Sequence, residues 1–550
     1  MGGRLLSYST FIVTLGFLSF RGIDSRNLPL IADTVYGPVQ GKREGTSDAF
    51  LGVPFAQPPI GGMRWKDPQP PSAWKPEVLK ADTQPPGCMQ RCIDPPFACP
   101  TSTSEDCLYM DIYRPSSTES DGLLPVFVYL HGGKFESGSC SAGIYNGRIL
   151  ASAMDAVVVC INYRLGAFGY LFLGTDPTTG EDVNGNFGLK DQIAGLEFLK
   201  ENLESFGGDP NKITLAGQSA GAQSVAIHMT TDEVSDLFQQ GIMFSEPFAL
   251  PLKTPTDAIK LGQQFVATLS CQKDVMTCLR SKTANDVQSA SDISSYSEVN
   301  LRKLFQQFQP WGPVVEVQPI KMFENGQYQD KPVMLGSVTE EGRIFVYDLI
   351  KDPIVDFFYF IILSVFVPGK SNEILNHYPA DSSLADQREV VSQLAADYVF
   401  TCPIQHVAKL MFIQKGLNVY HYIFDQVFST PEAWDTYVGC YGHVCHGGDL
   451  PYIFGSAPFA GFSYTDKEKV LTNSEMKYIA NFIRSGNPNE GSSDVAGNLP
   501  HWPSIGEKNG AWSSLLLAGD KDISVLENWK ADICFFWDDI GYYGVPNINK

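Results

Sequence analysis

The sequence predicts an α/β fold in which helices flank a large, mostly parallel central sheet that carries long loop insertions. Three observations predict it. Short apolar runs recur at Val126-Phe127-Val128-Tyr129-Leu130, Val157-Val158-Val159-Cys160-Ile161, Ile213-Thr214-Leu215, Val333-Met334-Leu335 and Val419 to Phe424. These runs lack a regular polar face, so they read as strands covered on both sides. Longer mixed segments separate them, and Leu189 to Phe206 has helical spacing with its charges on one side. Finally, no repeat, low-complexity tract or long linker breaks the series. Residues 23–550 therefore read as a single domain, although a chain of this length could hold roughly three or four.

The elements follow in order. Arg4 precedes a mostly apolar, uncharged stretch from Leu5 to Phe20, which Arg21 and Asp24 end. That arrangement predicts a secretory signal peptide over residues 1–22, too short to span a bilayer. The mature chain is then expected in the secretory pathway, secreted or held in the lumen of a secretory or storage vesicle, with no integral membrane span. Pro and Gly crowd the segment from Gly52 to Trp74 and predict loop. Phe357 to Val367 is apolar almost throughout. It reads as a buried core segment, with the wall or lid of an apolar pocket as the alternative.

Lys and Arg total 40 against 61 Asp and Glu, giving a net charge of −21. Such a surface repels a phosphate backbone, which excludes a nucleic-acid partner. Twelve cysteines behind a signal peptide predict disulfides rather than metal sites. Cys160, in an apolar run, reads as a free buried thiol, and Cys140 has no evident mate. Cys92 with Cys99, and Cys440 with Cys445, are close enough to pair locally. Cys440-x-x-His443-x-Cys445-His446 also has the look of a zinc cluster, but its spacing matches no common module.

Gly217-Gln218-Ser219-Ala220-Gly221 lies between the strand at Ile213–Leu215 and a small-residue stretch from Ala222. Such a strand-to-helix turn lifts a serine hydroxyl clear of the backbone. Serine needs a base to take its proton, usually His oriented by a carboxylate. Seven of the eight histidines follow Ser219, and His446 stands out in the turn His446-Gly447-Gly448-Asp449. His131-Gly132-Gly133-Lys134-Phe135 follows a strand, and its glycines let backbone N–H groups approach a developing oxyanion.

With these residues in place, the chain resembles the type-B carboxylesterase and lipase family, which includes cholinesterases. The resemblance runs from about Thr34 to Trp537. It is carried by Phe50-Leu51-Gly52-Val53-Pro54-Phe55-Ala56, Glu105-Asp106-Cys107-Leu108-Tyr109, Asn162-Tyr163-Arg164-Leu165-Gly166, Phe206-Gly207-Gly208-Asp209-Pro210 and Ser485-Gly486-Asn487-Pro488-Asn489. It implies the α/β-hydrolase fold and a serine carboxylesterase that cleaves small ester substrates through an acyl-enzyme, without cofactor or metal. By the same resemblance Ser219 is the nucleophile, Glu341 the acid (Glu340 the fallback) and His446 the base. The N–H groups of Gly133, Lys134 and Ala220 form the oxyanion hole. Cys88 pairs with Cys107, Cys271 with Cys278 and Cys402 with Cys534.

Three departures stand out. Lys134 replaces a glycine, Gln218 stands where cholinesterases carry Glu, and Phe244-Ser245-Glu246-Pro247 replaces an S-G-S segment. No Trp lies between Cys88 and Glu105, which argues against a choline site. Two rival readings follow: a catalytically weak or inactive storage or adhesion protein on the same fold, and a lipase acting at lipid surfaces.

Overall fold

In the computed structural model the described residues are 26–542, apart from 119, 176–179, 293–307, 367–368, 382, 384, 492–498 and 509. Residues 1–22, read above as a signal peptide, lie outside them. Among the described residues, eleven strands form one central sheet. In chain order they are β1 (Lys42–Glu44), β2 (Ser47–Pro54), β3 (Tyr109–Pro115), β4 (Leu124–Leu130), β5 (Val157–Ile161), β6 (Gly208–Gln218), β7 (Gln240–Phe244), β8 (Val333–Val338), β9 (Val419–Phe424), β10 (Ser513–Leu517) and β11 (Ser524–Glu527). Across the sheet they run β11-β10-β9-β8-β7-β6-β4-β5-β3-β2-β1. The stretch from β10 to β5 is parallel, and both margins are antiparallel. This is the α/β-hydrolase architecture that the sequence implied.

The predicted strands all lie in this sheet, and their side chains explain why they looked apolar throughout. Val126, Val128 and Leu130 of β4 enter one core, together with Val157, Val159 and Ile161 of β5. Phe127 and Tyr129 enter a second core on the opposite face, with Val158 and Cys160. A strand covered on both faces has no solvent side to mark with polar residues.

The quoted motifs largely build this frame. Arg164 makes a bidentate pair with Asp191, at 2.7 Å through both Nε and Nη2. Glu105 pairs with Arg64 through Nε at 2.6 Å. Gly486 ends the helix Asp466–Ser485 with φ of 77°.

Two expectations need correction. Cys160 is not a free thiol: it is bonded to Cys140, with Cα atoms 5.4 Å apart. Its strand sends Cys160 to the face where the loop after β4 returns, so the mate is near in space while 20 residues away. All twelve cysteines are paired, with Cys88–Cys107, Cys271–Cys278 and Cys402–Cys534 as expected. Cys92–Cys99 and Cys440–Cys445 complete the set, and the last pair removes the thiolates that a zinc cluster would need.

The second correction concerns Phe357–Val367, of which residue 367 lies outside the described residues. The run forms a surface helix, Asp356–Phe366, and not a buried core segment. Tyr359 and Leu363 are buried, but Phe357 is 69% and Phe358 57% exposed, and Phe360 and Ile361 are also exposed. With apolar residues on both faces, the run carried no periodicity from which to read the helix.

Candidate active site

The residues singled out in the sequence sit on loops at the carboxyl ends of neighbouring parallel strands, where α/β sheets form their sites. β4 ends at Leu130 and leads into His131–Phe135, and β6 ends at Gln218, one residue before Ser219. β8 ends at Val338, three residues before Glu341, and His446 lies on the long segment after β9.

Ser219 has φ of 57° and ψ of −122°, a strained backbone for a residue with a side chain. The turn is so tight that a Cβ on Gly217 would lie 2.4 Å from the Gly221 backbone, and one on Gly221 would lie 2.0 Å from Leu130 O. Glycine at both positions is therefore a steric demand. The Ser219 N–H donates to Phe244 O at 3.0 Å, which ties the turn to β7. The helix Ala220–Met229 starts at the next residue.

The structure brings Glu341 to His446: Glu341 Oε2 is hydrogen-bonded to His446 Nδ1. Glu341 is fully buried, and its Oε1 accepts the Val338 N–H at 2.9 Å. A carboxylate on Nδ1 fixes the neutral ring as the Nδ1–H tautomer and leaves the Nε2 lone pair free to act. Phe345 and Phe400 flank the imidazole, with ring centroids 5.1 and 5.0 Å away. Glu340 does not reach His446; it pairs with His443 instead.

The other histidines have their own partners. His131 lies against Gly132 O, His228 against Gln192 and His421 against Ser514. His501 meets Glu507, His406 meets Glu324 and Asp538, and His377 packs on Phe536. Burial lowers His131 and His228 to about 4, so both stay neutral at ordinary pH.

Sequence reasoning missed the group on Nε2. Among the described residues Ser219 Oγ makes no hydrogen bond to His446. Gln218 Nε2 lies 3.0 Å from His446 Nε2. The amide N–H donates to the ring lone pair, which agrees with the tautomer that Glu341 sets. The departure from Glu at this position was the available signal.

The loop after β4 is left-handed over three residues: φ is 107° at Gly133, 57° at Lys134 and 60° at Phe135. A Cβ on Gly133 would lie 2.2 Å from Ser137 O, so only glycine fits there. Gly133 O accepts from the N–H groups of Glu136 and Ser137 at 2.9 Å, which folds the loop back on itself. Ala220 is the first residue of its helix, where backbone N–H groups have no partner within the helix. The side chain of Lys134 is exposed. Burial raises the carboxyls of Asp94 and Glu136, the latter to about 7, and the Lys134 charge opposes that rise.

Asp449 is fully buried; its Oδ2 accepts from Tyr422 at 3.3 Å, and its Oδ1 has no partner among the described residues. Burial, and then the charge of Glu341, push its carboxyl up to about 7.

A sequence profile of the carboxylesterase family matches residues 29–537. The cAMP-regulated D2 protein of Dictyostelium discoideum is 34% identical over 489 residues, which cover 87% of this chain and 88% of that protein. The crystal protein of the same organism is 34% identical over 464 residues, covering 82% and 81%. The acetylcholinesterase of Bungarus fasciatus is 31% identical over 532 residues, covering 90% and 83%.

Proposed function

The chain belongs to the carboxylesterase family, and we propose that it hydrolyses carboxylic esters through an acyl-enzyme on Ser219. The observation that carries this reading is the Glu341–His446 pair, held beside the turn that bears the strained serine.

In the scheme Gln218 yields the Nε2 lone pair of His446 when substrate arrives. Ser219 gives its proton to Nε2 and attacks the ester carbonyl. Glu341 keeps the ring oriented and stabilises its charged form. The carbonyl oxygen, now negative, accepts from the N–H groups of Gly133, Lys134 and Ala220. Lys134 contributes its backbone, so losing the family's glycine costs no donor. The imidazolium returns the proton to the leaving alcohol, and water repeats the sequence to release the acid. The six disulfides support passage through an oxidising compartment. Together with the apolar segment at the N-terminus, they support a secreted or vesicle-stored protein.

One observation favours a second reading, a weak or inactive storage or adhesion protein. Gln218, and not Ser219, engages His446. Hydrolysis of p-nitrophenyl acetate and butyrate by the wild-type protein, beside Ser219→Ala, decides between the two. Rapid turnover that vanishes in the variant supports the esterase. Turnover that is equal in both, or absent from both, supports the storage reading.

A further inference from the structure

Glu340 and Glu341 are consecutive, and His443 and His446 lie three apart; the structure joins them as two separate pairs. Glu340 Oε1 lies 2.8 Å from His443 Nδ1, and Glu340 Oε2 accepts the Val444 N–H at 2.7 Å. The backbone closes the same contact. The Glu340 N–H donates to Val444 O at 3.2 Å, and Glu340 forms a parallel bridge with Cys445. One turn further on, Arg343 Nε donates to Gly439 O at 2.5 Å. Tyr347 packs so closely on Gly439 that a Cβ there would lie 2.8 Å from the Tyr347 Cβ. The Cys440–Cys445 disulfide closes the held segment, and His446 is the next residue.

We propose that Glu340 is a positioning residue of the esterase site. It fixes the register of the histidine-bearing segment on the acid-bearing turn, so that Glu341 and His446 meet. The inference rests on the reading of Glu341 and His446 given under Proposed function.

The contacts are not equal. Val444 is buried, so its N–H needs an acceptor, and a carboxylate is a strong one. The His443–Glu340 pair is partly exposed, at 34% and 27%, and water weakens it. The essential feature is therefore an acceptor for the Val444 N–H, not the charge pair with His443. That gives the variants a definite ranking. Glu340→Gln keeps an acceptor oxygen, Glu340→Ala removes it, and Glu340→Met removes it while keeping the volume. His443→Gln tests the pair alone.

The test combines steady-state kinetics with proton NMR of the imidazole hydrogen that His446 Nδ1 shares with Glu341. That signal needs no turnover, so it is read in the Ser219→Ala background. Expected are a kcat lower by about 10- to 100-fold in Glu340→Ala and Glu340→Met, with KM within about threefold. Glu340→Gln and His443→Gln should stay within about threefold of wild type in kcat. The imidazole signal should persist in the wild type, Glu340→Gln and His443→Gln, and broaden by exchange in the other two. Glu340→Met decides if Glu340→Ala melts early. An unchanged signal and kcat in Glu340→Met overturn the proposal, as does a Glu340→Gln that falls as far as Glu340→Met. If the wild type and Ser219→Ala are equally inert, the esterase reading fails, and the imidazole signal alone still decides the role of Glu340.

Discussion

At the scale of the residue, the site turns on one lone pair. Nε2 of neutral His446 accepts a single hydrogen bond, and in this structure Gln218 supplies it. An amide can also turn its oxygen to an imidazolium, so it serves both states of the ring. A carboxylate only accepts, and so favours the charged ring. Gln218→Glu should therefore move the acidic limb of the kcat/KM profile up by about one pH unit; an unmoved limb would contradict the contact. Asp449 gives a second prediction. Its carboxyl titrates at about 7 folded against an ordinary 3.8, so the folded protein holds that proton more tightly than the unfolded chain does. Stability should then fall as pH rises through that window, and Asp449→Asn should flatten the fall in melting temperature. Ser219 and His446 stood out as candidates because each lies in a short motif, and Glu341 came through the family resemblance. The contacts made by Gln218 and Glu340 were not, because they join residues 228 and 103 positions apart.

At the scale of the element, strands were legible and surface helices were not. β5 reads Val-Val-Val-Cys-Ile and is buried at every position, which only a two-faced sheet explains. The helix Asp356–Phe366 has a similar composition but leaves Phe357, Phe358, Phe360 and Ile361 in solvent. Hydrophobicity alone could not assign it a partner. Another helix carries a testable tie. His406, on Cys402–Lys415, lies 3.3 Å from Asp538 of the C-terminal helix and 3.6 Å from Glu324. Burial lowers its proton affinity, but the bonds to Asp538 and Glu324 outweigh it and raise the group from 6.5 to about 9. A raised folded pKa stabilises fully below 6.5 and is lost as pH rises through about 9. Melting temperature should drop across that window, and His406→Gln should abolish the drop. An equal drop in the variant would remove His406 as its source.

At the scale of the whole molecule, the Cys402–Cys534 bridge closes 132 residues and holds the C-terminal helix against the domain. Loop entropy makes this bridge worth about 4–5 kcal/mol, well above the Cys440–Cys445 loop, whose separation is 5. Replacing Cys402 and Cys534 with Ala should lower the chemical-denaturation midpoint far more than replacing Cys440 and Cys445. The parallel sheet was legible because apolar strands recur in the order the fold needs. The Cys140–Cys160 bond was not, since it depends on which face a loop returns to.

The most direct measurement is the mass of protein quenched in acid during turnover of p-nitrophenyl acetate, followed by peptide mapping. The account predicts one acetyl group, on the peptide bearing Ser219, absent from Ser219→Ala and from His446→Ala. Turnover with no acetyl on Ser219, or an acetyl that persists in Ser219→Ala, would contradict it.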